Sequence, residues 1–239
     1  MEKELQYDYF FRDMSACPAL EFFKKDEYVW QTIKLLKNLS IDKPEILGNV
    51  HKSATLTGQI KIGKNSEIGP NVVIEGPVII GENVSVRPGA YIRSNSILGS
   101  NISIGHAVEL KNSIVFDFAK ISSHAFVGDS IIGKGARVAT GAVTGNRRFD
   151  QKPVTINFND KKIETGIEKF GLVLGDFSRL GLTVTTAPGT LIGPNCWVYS
   201  GSSISGFIKE RTLVKLRSTL EYVEKGENEL KFKDSEGNI

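Results

Sequence analysis

Residues 60–105 read IKIGKNSEIGPNVVIEGPVIIGENVSVRPGAYIRSNSILGSNISIG, and this stretch decides the fold. An aliphatic residue recurs at every sixth position, in a run that extends slightly beyond the stretch at both ends. The positions are Leu56, Ile62, Ile68, Ile74, Ile80, Val86, Ile92, Leu98, Ile104 and Leu110. Because 40% of the chain is hydrophobic, chance would give such a run with a probability of about 10⁻⁴. The period therefore reflects a fold and not the composition.

A period of six residues matches neither an α-helix nor a simple alternating strand. It fits a triangular prism in which each face contributes one inward aliphatic residue and each corner takes glycine or a polar residue, as at Gly63 and Gly69. Three hexads close one coil of about 18 residues, and the coils stack as parallel sheets. Known hexapeptide-repeat proteins coil to the left. The predicted fold class is therefore an all-β, left-handed parallel β-helix of hexapeptide repeats.

The period has interruptions, and the ends of the chain differ from the middle. We call the recurring aliphatic positions the aliphatic stripe. Two of its steps, from 110 to 115 and from 127 to 132, are five residues long instead of six, so each shortens a corner by one residue. The β-helix is assigned to residues 51–206, with an inserted β-hairpin at about 145–170 that is expected to project from the prism.

Residues 1–50 are rich in aromatic side chains and have helical spacing before Pro44. They are predicted to form a short N-terminal helical cap across the open end of the prism. Residues 207–239 are predicted to add one strand layer, followed by a charged tail from Glu224 onward.

Composition narrows the functional classes. The net charge is only +3 with scattered basic residues, which argues against nucleic acid as a partner. The sequence shows no signal-like start and no apolar run of membrane-spanning length, so no membrane contact is expected. The two cysteines, Cys17 and Cys196, lack metal-type spacing and favour a reduced, cytoplasmic location.

Three elements carry chemical information. They are Val108-Glu109-Leu110-Lys111-Asn112-Ser113, Ser123-His124-Ala125-Phe126-Val127-Gly128-Asp129 and Gly141-Ala142-Val143-Thr144-Gly145-Asn146. Together they resemble the acetyltransferase half of the bifunctional sugar-1-phosphate nucleotidylyltransferase/acetyltransferases, which include the enzyme that makes UDP-N-acetylglucosamine. The resemblance covers roughly residues 50–205 and includes the hairpin insertion.

The resemblance implies transfer of an acetyl group from acetyl-CoA to the amine of an amino-sugar 1-phosphate, at sites between subunits of a homotrimer. In such a site a histidine is the general base, because imidazole titrates in the range needed to deprotonate an amine. Arginine and lysine hold the sugar phosphate, and an asparagine orients the acetyl group. The matching positions are Arg87, Lys111, Asn146 and Lys152. No residue is assigned to cofactor binding, and no metal is expected.

Departures from the family pattern leave the general base open. Ser123 falls at the position of the catalytic histidine, and His124 follows one residue late. Counting back one coil places His106 beside Ser123, one strand spacing of about 4.8 Å away. His124 is favoured as the base over His106, and Glu109 lies close enough in sequence to orient one of them.

Two further departures bear on the function. Phe126 stands where the family has a tyrosine, and Arg137 stands where an asparagine is common. The leading hypothesis is an N-acetyltransferase acting on an amino-sugar phosphate or sugar nucleotide. The alternative is a non-catalytic trimerisation or regulatory module of sugar-nucleotide metabolism. A zinc site would require His51 to join the other two histidines. No glycine-rich nucleotide loop is found, so no nucleotidylyltransferase activity is expected from these residues.

Overall fold

The computed structural model describes residues 2–15, 17 and 19–223. Within them the chain is a left-handed parallel β-helix whose coils stack into three parallel sheets, and the predicted fold class is confirmed. We name the sheets faces A, B and C, in the order in which the chain enters them. The three corners of the prism are named by the faces that they join.

The strands are short, as expected for a prism with frequent corners. Face A consists of Glu45–Ile46, Ile60–Ile62, Val78–Ile80, Ser96–Leu98, Ile114–Val115, Ile131–Ile132, Leu172–Leu174, Thr190–Ile192 and Phe207–Ile208. Face B consists of Asn49–Val50, Glu67–Ile68, Ser85–Val86, Ser103–Ile104, Lys120–Ile121, Arg137–Val138, Arg179–Leu180, Trp197–Val198 and Leu213–Val214. Face C consists of Thr55–Thr57, Val73–Glu75, Tyr91–Ile92, Glu109–Lys111, Phe126–Gly128, Val143–Thr144, Thr185–Thr186 and Ser203–Ile204.

The aliphatic stripe forms the interior of the prism. Its members are buried or packed against the buried cluster, and the short corners are absorbed without loss of register, since Leu98 pairs with Val115 and Val115 with Ile132. A second inward row lies two residues before the stripe, at positions such as Val108 and Ala125. Each face therefore contributes two inward side chains per coil, one large and one of variable size.

The N-terminal segment forms short helices, but the prediction that it covers the open end of the prism is wrong. The α-helices are Tyr7–Phe10 and Gln31–Leu35, and the 3-10 helices are Lys3–Leu5, Leu20–Phe22 and Leu36–Asn38. The segment packs on the outer side of face A, where Phe11 stacks on Phe116 with ring centroids 4.7 Å apart. The physical reason is that face A presents apolar side chains outward as well as inward, including Ile97 and Ile131. Covering this flank removes more apolar surface from water than covering one strand edge would.

The hairpin is present, with strands Thr155–Phe158 and Lys161–Glu164 joined at Asn159-Asp160. Both turn residues have positive φ, as a tight two-residue hairpin requires. The expectation that the hairpin projects from the prism is wrong. Ile156 and Phe158 are buried in the same outer cluster on face A, and Phe158 meets Phe207 edge-on.

The boundaries of the prism are wider than the sequence suggested. Its first strands are Glu45–Ile46 and Asn49–Val50, inside the segment assigned to the cap. The strand layer expected after residue 207 is present and ends with Leu213–Val214. The charged tail from Glu224 onward lies outside the described residues. None of the helices in the described part of the chain is long and apolar enough to cross a membrane.

Candidate active site

His106 and His124 meet at the corner between faces B and C. Ile104 pairs with Ile121, so His106 lies beside Ser123 as the coil count predicted. The backbone N–H of His124 donates to the carbonyl of His106 at 2.9 Å. The two rings are 5.1 Å apart in an edge-to-face arrangement, and both side chains are exposed.

A hydrogen bond determines the tautomer of neutral His106. Its Nδ1 lies 2.7 Å from the carbonyl oxygen of Pro88, one coil back. Because a carbonyl only accepts, Nδ1 must carry the proton, and Nε2 keeps its lone pair when the ring is neutral. Arg87 precedes this proline at the same corner and is exposed. The corner therefore presents an oriented imidazole nitrogen to solvent.

His124 occupies a backbone position that the fold repeats in most coils. Its φ is +58°, and Asn71, Ala107 and Thr183 share the left-handed conformation at equivalent corners. The positive φ of His124 is therefore a property of the corner and not strain confined to this site. In the family pattern the histidine falls one residue earlier, at Ser123.

Face C lies beside this corner and carries two outward rows. The row next to the imidazoles includes Tyr91, Glu109, Phe126 and Val143, which pair across successive strands. Glu109 does not pair with an imidazole in the described structure. Its Oε1 accepts a hydrogen bond from Nη1 of Arg93 at 2.9 Å, which raises the pKa of Arg93. No contact between Glu109 and a histidine among the described residues thus supports the expected role of Glu109 in orienting one.

The corner between faces C and A carries a second cluster, centred on Asp129. Its carboxylate is almost fully buried and accepts hydrogen bonds from Nδ2 of Asn146 at 2.6 Å and Nδ2 of Asn112 at 2.8 Å. Nζ of Lys111 lies 3.4 Å from the same carboxylate. Asp129 thus brings together Lys111 and Asn146, which are two of the predicted site residues. The sequence analysis had assigned no role to Asp129.

The two clusters lie at opposite edges of face C. Ser123 and Gly128 are five positions apart along the chain, so about 16 Å is the upper limit of their separation, and the corner at His124 shortens it. Lys152 belongs to neither cluster, since it is exposed and its backbone N–H donates to Asp150 at 3.3 Å. Within one chain, the imidazoles and the Lys111 ammonium therefore do not converge on one point.

Basic side chains surround the Asp129 cluster. A pocket of about 280 Å³ at this corner is lined by Lys37 from the N-terminal segment, Lys169 from the end of the insertion, Arg93 and Lys111. Within the described part of the chain, ion pairs neutralise only Arg93, through Glu109, and Lys111, through Asp129. The pocket has the electrostatic character expected for an anionic group such as a phosphate.

A basic ladder on face B was missed by the sequence reading. Lys120, Arg137 and Arg179 pair on adjacent strands, all three exposed, and Arg179 stacks over Trp197 at 5.3 Å. They line a groove of about 650 Å³ that runs beside the imidazole corner. Among the described residues, none of the three cations has an ion-pair partner. The ladder could be found only once the spacing of 17 residues was known to be one coil, and that of 42 residues one coil plus the insertion.

Metal ligands do not cluster in the described part of the chain, where no group of three or more His, Cys, Asp or Glu residues could hold an ion. His51 lies on the same edge as His106 but three coils away, and its Nδ1 contacts the Ser53 hydroxyl at 2.9 Å.

The fold and these clusters define the chain as a hexapeptide-repeat β-helix protein with an imidazole pair, a basic pocket and a basic groove. Residues 74–159 match the model of the GMPPB C-terminal domain. The chain is a relative of the bifunctional sugar-1-phosphate nucleotidylyltransferase/acetyltransferases, and the resemblance seen in the sequence is confirmed.

Two relatives illustrate the match. The bifunctional protein GlmU of Methanococcus aeolicus is 36% identical over 75% of this chain and 43% of its own length. The bifunctional sugar-1-phosphate nucleotidylyltransferase/acetyltransferase of Sulfurisphaera tokodaii is 36% identical over 66% of this chain and 40% of its own length. This chain therefore spans less than half of either relative. Among solved structures, the UDP-N-acetylglucosamine acyltransferase of Francisella novicida aligns with a TM-score of 0.47 and 16% identity, over 67% of this chain and 62% of that one.

Proposed function

We propose that the chain is an acetyl-CoA-dependent N-acetyltransferase whose acceptor is an amino-sugar phosphate or a sugar nucleotide. The observation that carries the proposal is the hydrogen bond from His106 Nδ1 to the Pro88 carbonyl, which leaves Nε2 free as a base. The imidazole faces solvent beside the basic groove of face B. The Sulfurisphaera tokodaii relative, whose name includes acetyltransferase, supports the same reaction class.

His106 is the better-oriented base, and His124 is the second candidate. A general base needs a fixed lone pair within about 3 Å of the proton that it removes. His106 has its tautomer set by Pro88, whereas the ring of His124 is placed mainly by its edge-to-face contact with His106. That contact lets the ring of His124 help to hold the ring of His106 in place.

The reaction is a balanced acyl transfer. The acceptor nitrogen attacks the thioester carbonyl, and Nε2 takes a proton from the nitrogen as the C–N bond forms. The C–S bond then breaks, and the proton passes to the leaving thiolate. The ladder of Lys120, Arg137 and Arg179 would hold the phosphates of the donor, because paired guanidinium groups suit phosphate geometry.

The proposed assembly is a homotrimer with sites between subunits. The two clusters of one chain lie at opposite edges of face C, and among the described residues neither imidazole contacts Lys111 or Asn146. Cyclic closure would bring the imidazole corner of one copy towards the basic pocket of the next. Exposed apolar side chains on the imidazole side, Leu182, Trp197 and Tyr199, are the kind of surface that such an interface covers.

A non-catalytic trimerisation or regulatory module is the second candidate function. Ser123 and Phe126 favour it, because each replaces a polar or titratable group that the family pattern provides. A chain of this kind would keep the prism and its interface but would not turn over.

The deciding experiment measures acetyl transfer from acetyl-CoA to glucosamine 1-phosphate and galactosamine 1-phosphate. We expect His106→Ala to lose roughly 10²–10⁴-fold in rate, as for loss of a general base. His124→Ala should lose less, and His51→Ala, on the same edge three coils away, should match the wild type. A wild type inactive with both sugars would favour the non-catalytic module. A wild type that is active and indifferent to both His106→Ala and His124→Ala would eliminate the imidazole mechanism.

A further inference from the structure

Asp129 is a buried carboxylate that the reaction above does not use. Its side chain is 4% exposed, and it lies at the corner where face C ends. Burial of an ionised carboxylate is costly unless several donors satisfy it. Here the donors are Asn146, Asn112 and Lys111, so the carboxylate joins three side chains that would otherwise be independent.

We propose that Asp129 is a positioning residue that fixes the amide of Asn146 with its carbonyl oxygen directed away from the carboxylate. An ionised carboxylate can only accept hydrogen bonds. The amide nitrogen of Asn146 must therefore face Asp129, at 2.6 Å, and the amide oxygen must point the other way. The orientation follows from this chemistry and does not depend on how the two amide atoms are assigned.

The Asn146 amide is held on a second side by face C. At Gly128 an added Cβ would lie 2.9 Å from Nδ2 of Asn146 and 2.7 Å from the Phe126 ring. Both distances are shorter than real Cβ contacts allow. Gly128 thus leaves the space in which Asn146 and Phe126 lie against the sheet. A flip of the amide would turn its oxygen towards the Asp129 carboxylate, where two acceptors repel each other.

An amide oxygen held in this way is an acceptor for an N–H group. Under the proposed function, on which this inference rests, that group is the acceptor amine, and the imidazole that deprotonates it belongs to a neighbouring copy of the proposed trimer. Binding an N–H through a neutral oxygen leaves the amine uncharged, whereas a carboxylate at the same place would favour the unreactive ammonium form. The same Asp129 holds the Lys111 ammonium at 3.4 Å, so it also sets the position of a cation in the basic pocket.

The test compares Asp129→Asn with Asn112→Ala. The first variant is isosteric and removes the charge that orients Asn146. The second removes another hydrogen bond to the same carboxylate but leaves the contact with Asn146 intact. We expect Asp129→Asn to lower kcat by about 10- to 100-fold with the KM for acetyl-CoA unchanged, because near-attack geometry is lost and donor binding is not. Asn112→Ala, which also alters the lining of the basic pocket, should lose melting temperature to a similar degree but lower kcat less than Asp129→Asn does.

A second measurement needs no variant and no turnover. In the wild-type protein, NMR should show a side-chain amide proton of Asn146 that exchanges slowly with solvent, because it is bonded to a buried carboxylate. Exchange with solvent as fast as that of an exposed asparagine would overturn the inference even if the enzyme is active. If Asp129→Asn and Asn112→Ala lost kcat equally, and in proportion to their loss of melting temperature, Asp129 would have only a structural role. A wild type with no transferase activity but a protected Asn146 amide would instead overturn the proposed function, and the catalytic role of Asp129 with it.

Discussion

Replacing Phe116 by alanine tests how the N-terminal segment is attached to the prism. Phe116 is buried and stacks on Phe11 at 4.7 Å, with Phe23 at 5.9 Å. Removing a buried phenylalanine costs about 3–5 kcal/mol, which includes the loss of transfer free energy and the cavity left behind. The two aromatic pairs account for part of this cost, at about 0.5–1.5 kcal/mol each.

The loss should fall mainly on the attachment of the segment. The prism interior lies on the other side of face A and does not contain Phe116. Local opening is governed by the free energy of the local contacts, so a loss of about 3 kcal/mol raises the open population by roughly 100-fold. Cleavage that tracks the open population should accelerate by the same factor.

Limited proteolysis measures this opening directly, with mass spectrometry to locate the first cuts. We expect the early cuts in Phe116→Ala to fall within residues 2–41, while fragments containing residues 60–205 persist. Phe118→Ala is the matched control, because Phe118 lies two residues away and is 56% exposed. If Phe116→Ala resists protease like the control, or if the prism is cut as early as the segment, the attachment described here is wrong.

Two further predictions concern charge and thiol chemistry. Arg137→Glu should weaken acetyl-CoA binding by about tenfold or more in calorimetric titration, because a charged hydrogen bond is lost and repulsion is added. Lys64→Glu, on an early coil, is the control and should leave the affinity unchanged. Equal affinities for the two variants would show that the ladder does not bind the donor. Burial raises the pKa of Cys17 to about 12 and also raises that of Cys196, so both thiols are protonated at pH 8. Iodoacetamide at pH 8 should therefore modify neither in the native protein and both after unfolding, since the thiolate is the nucleophile, and rapid native alkylation of Cys17 would contradict its burial.

The interior of the prism could be predicted from the sequence because one period controls it. The aliphatic stripe at every sixth residue survives two short corners and an insertion of a whole hairpin. The second inward row, at positions such as Val108 and Ala125, carried a weaker signal. Those side chains vary in size, so composition alone does not separate them from corner residues.

The sequence contains a pattern that predicts where the N-terminal segment packs, but the sequence analysis did not use it. On face A the residue before the inward position is apolar as well, as at Ile97, Ile114, Ile131, Val173 and Leu191. Runs that are apolar on both sides of a strand indicate a sheet covered on both faces. Reading the outward positions would have placed the aromatic segment and the hairpin on this flank, and not at the open end.

The candidate site was predicted in part. The meeting of His106 with Ser123 followed from counting coils, and Lys111 and Asn146 are indeed neighbours. The separation of the two clusters could not be read from motifs, because it depends on which corner each residue occupies. The role of Asp129 was hidden for a related reason, since its partners lie 17 residues away in both directions.

The one-residue shortening of two corners has a consequence for how such a protein can diverge. A deletion at a corner leaves the interior stripe in register, as the pairing of Val115 with Leu98 and Ile132 shows. Residues within that corner, however, change their places relative to the coils above and below. The length of a corner thus sets how far its surface residues are shifted along the chain, while the register of the interior stays the same. A lineage can move an imidazole or an amide along the edge of the prism in single-residue steps, at little cost to the folding of the coils beneath.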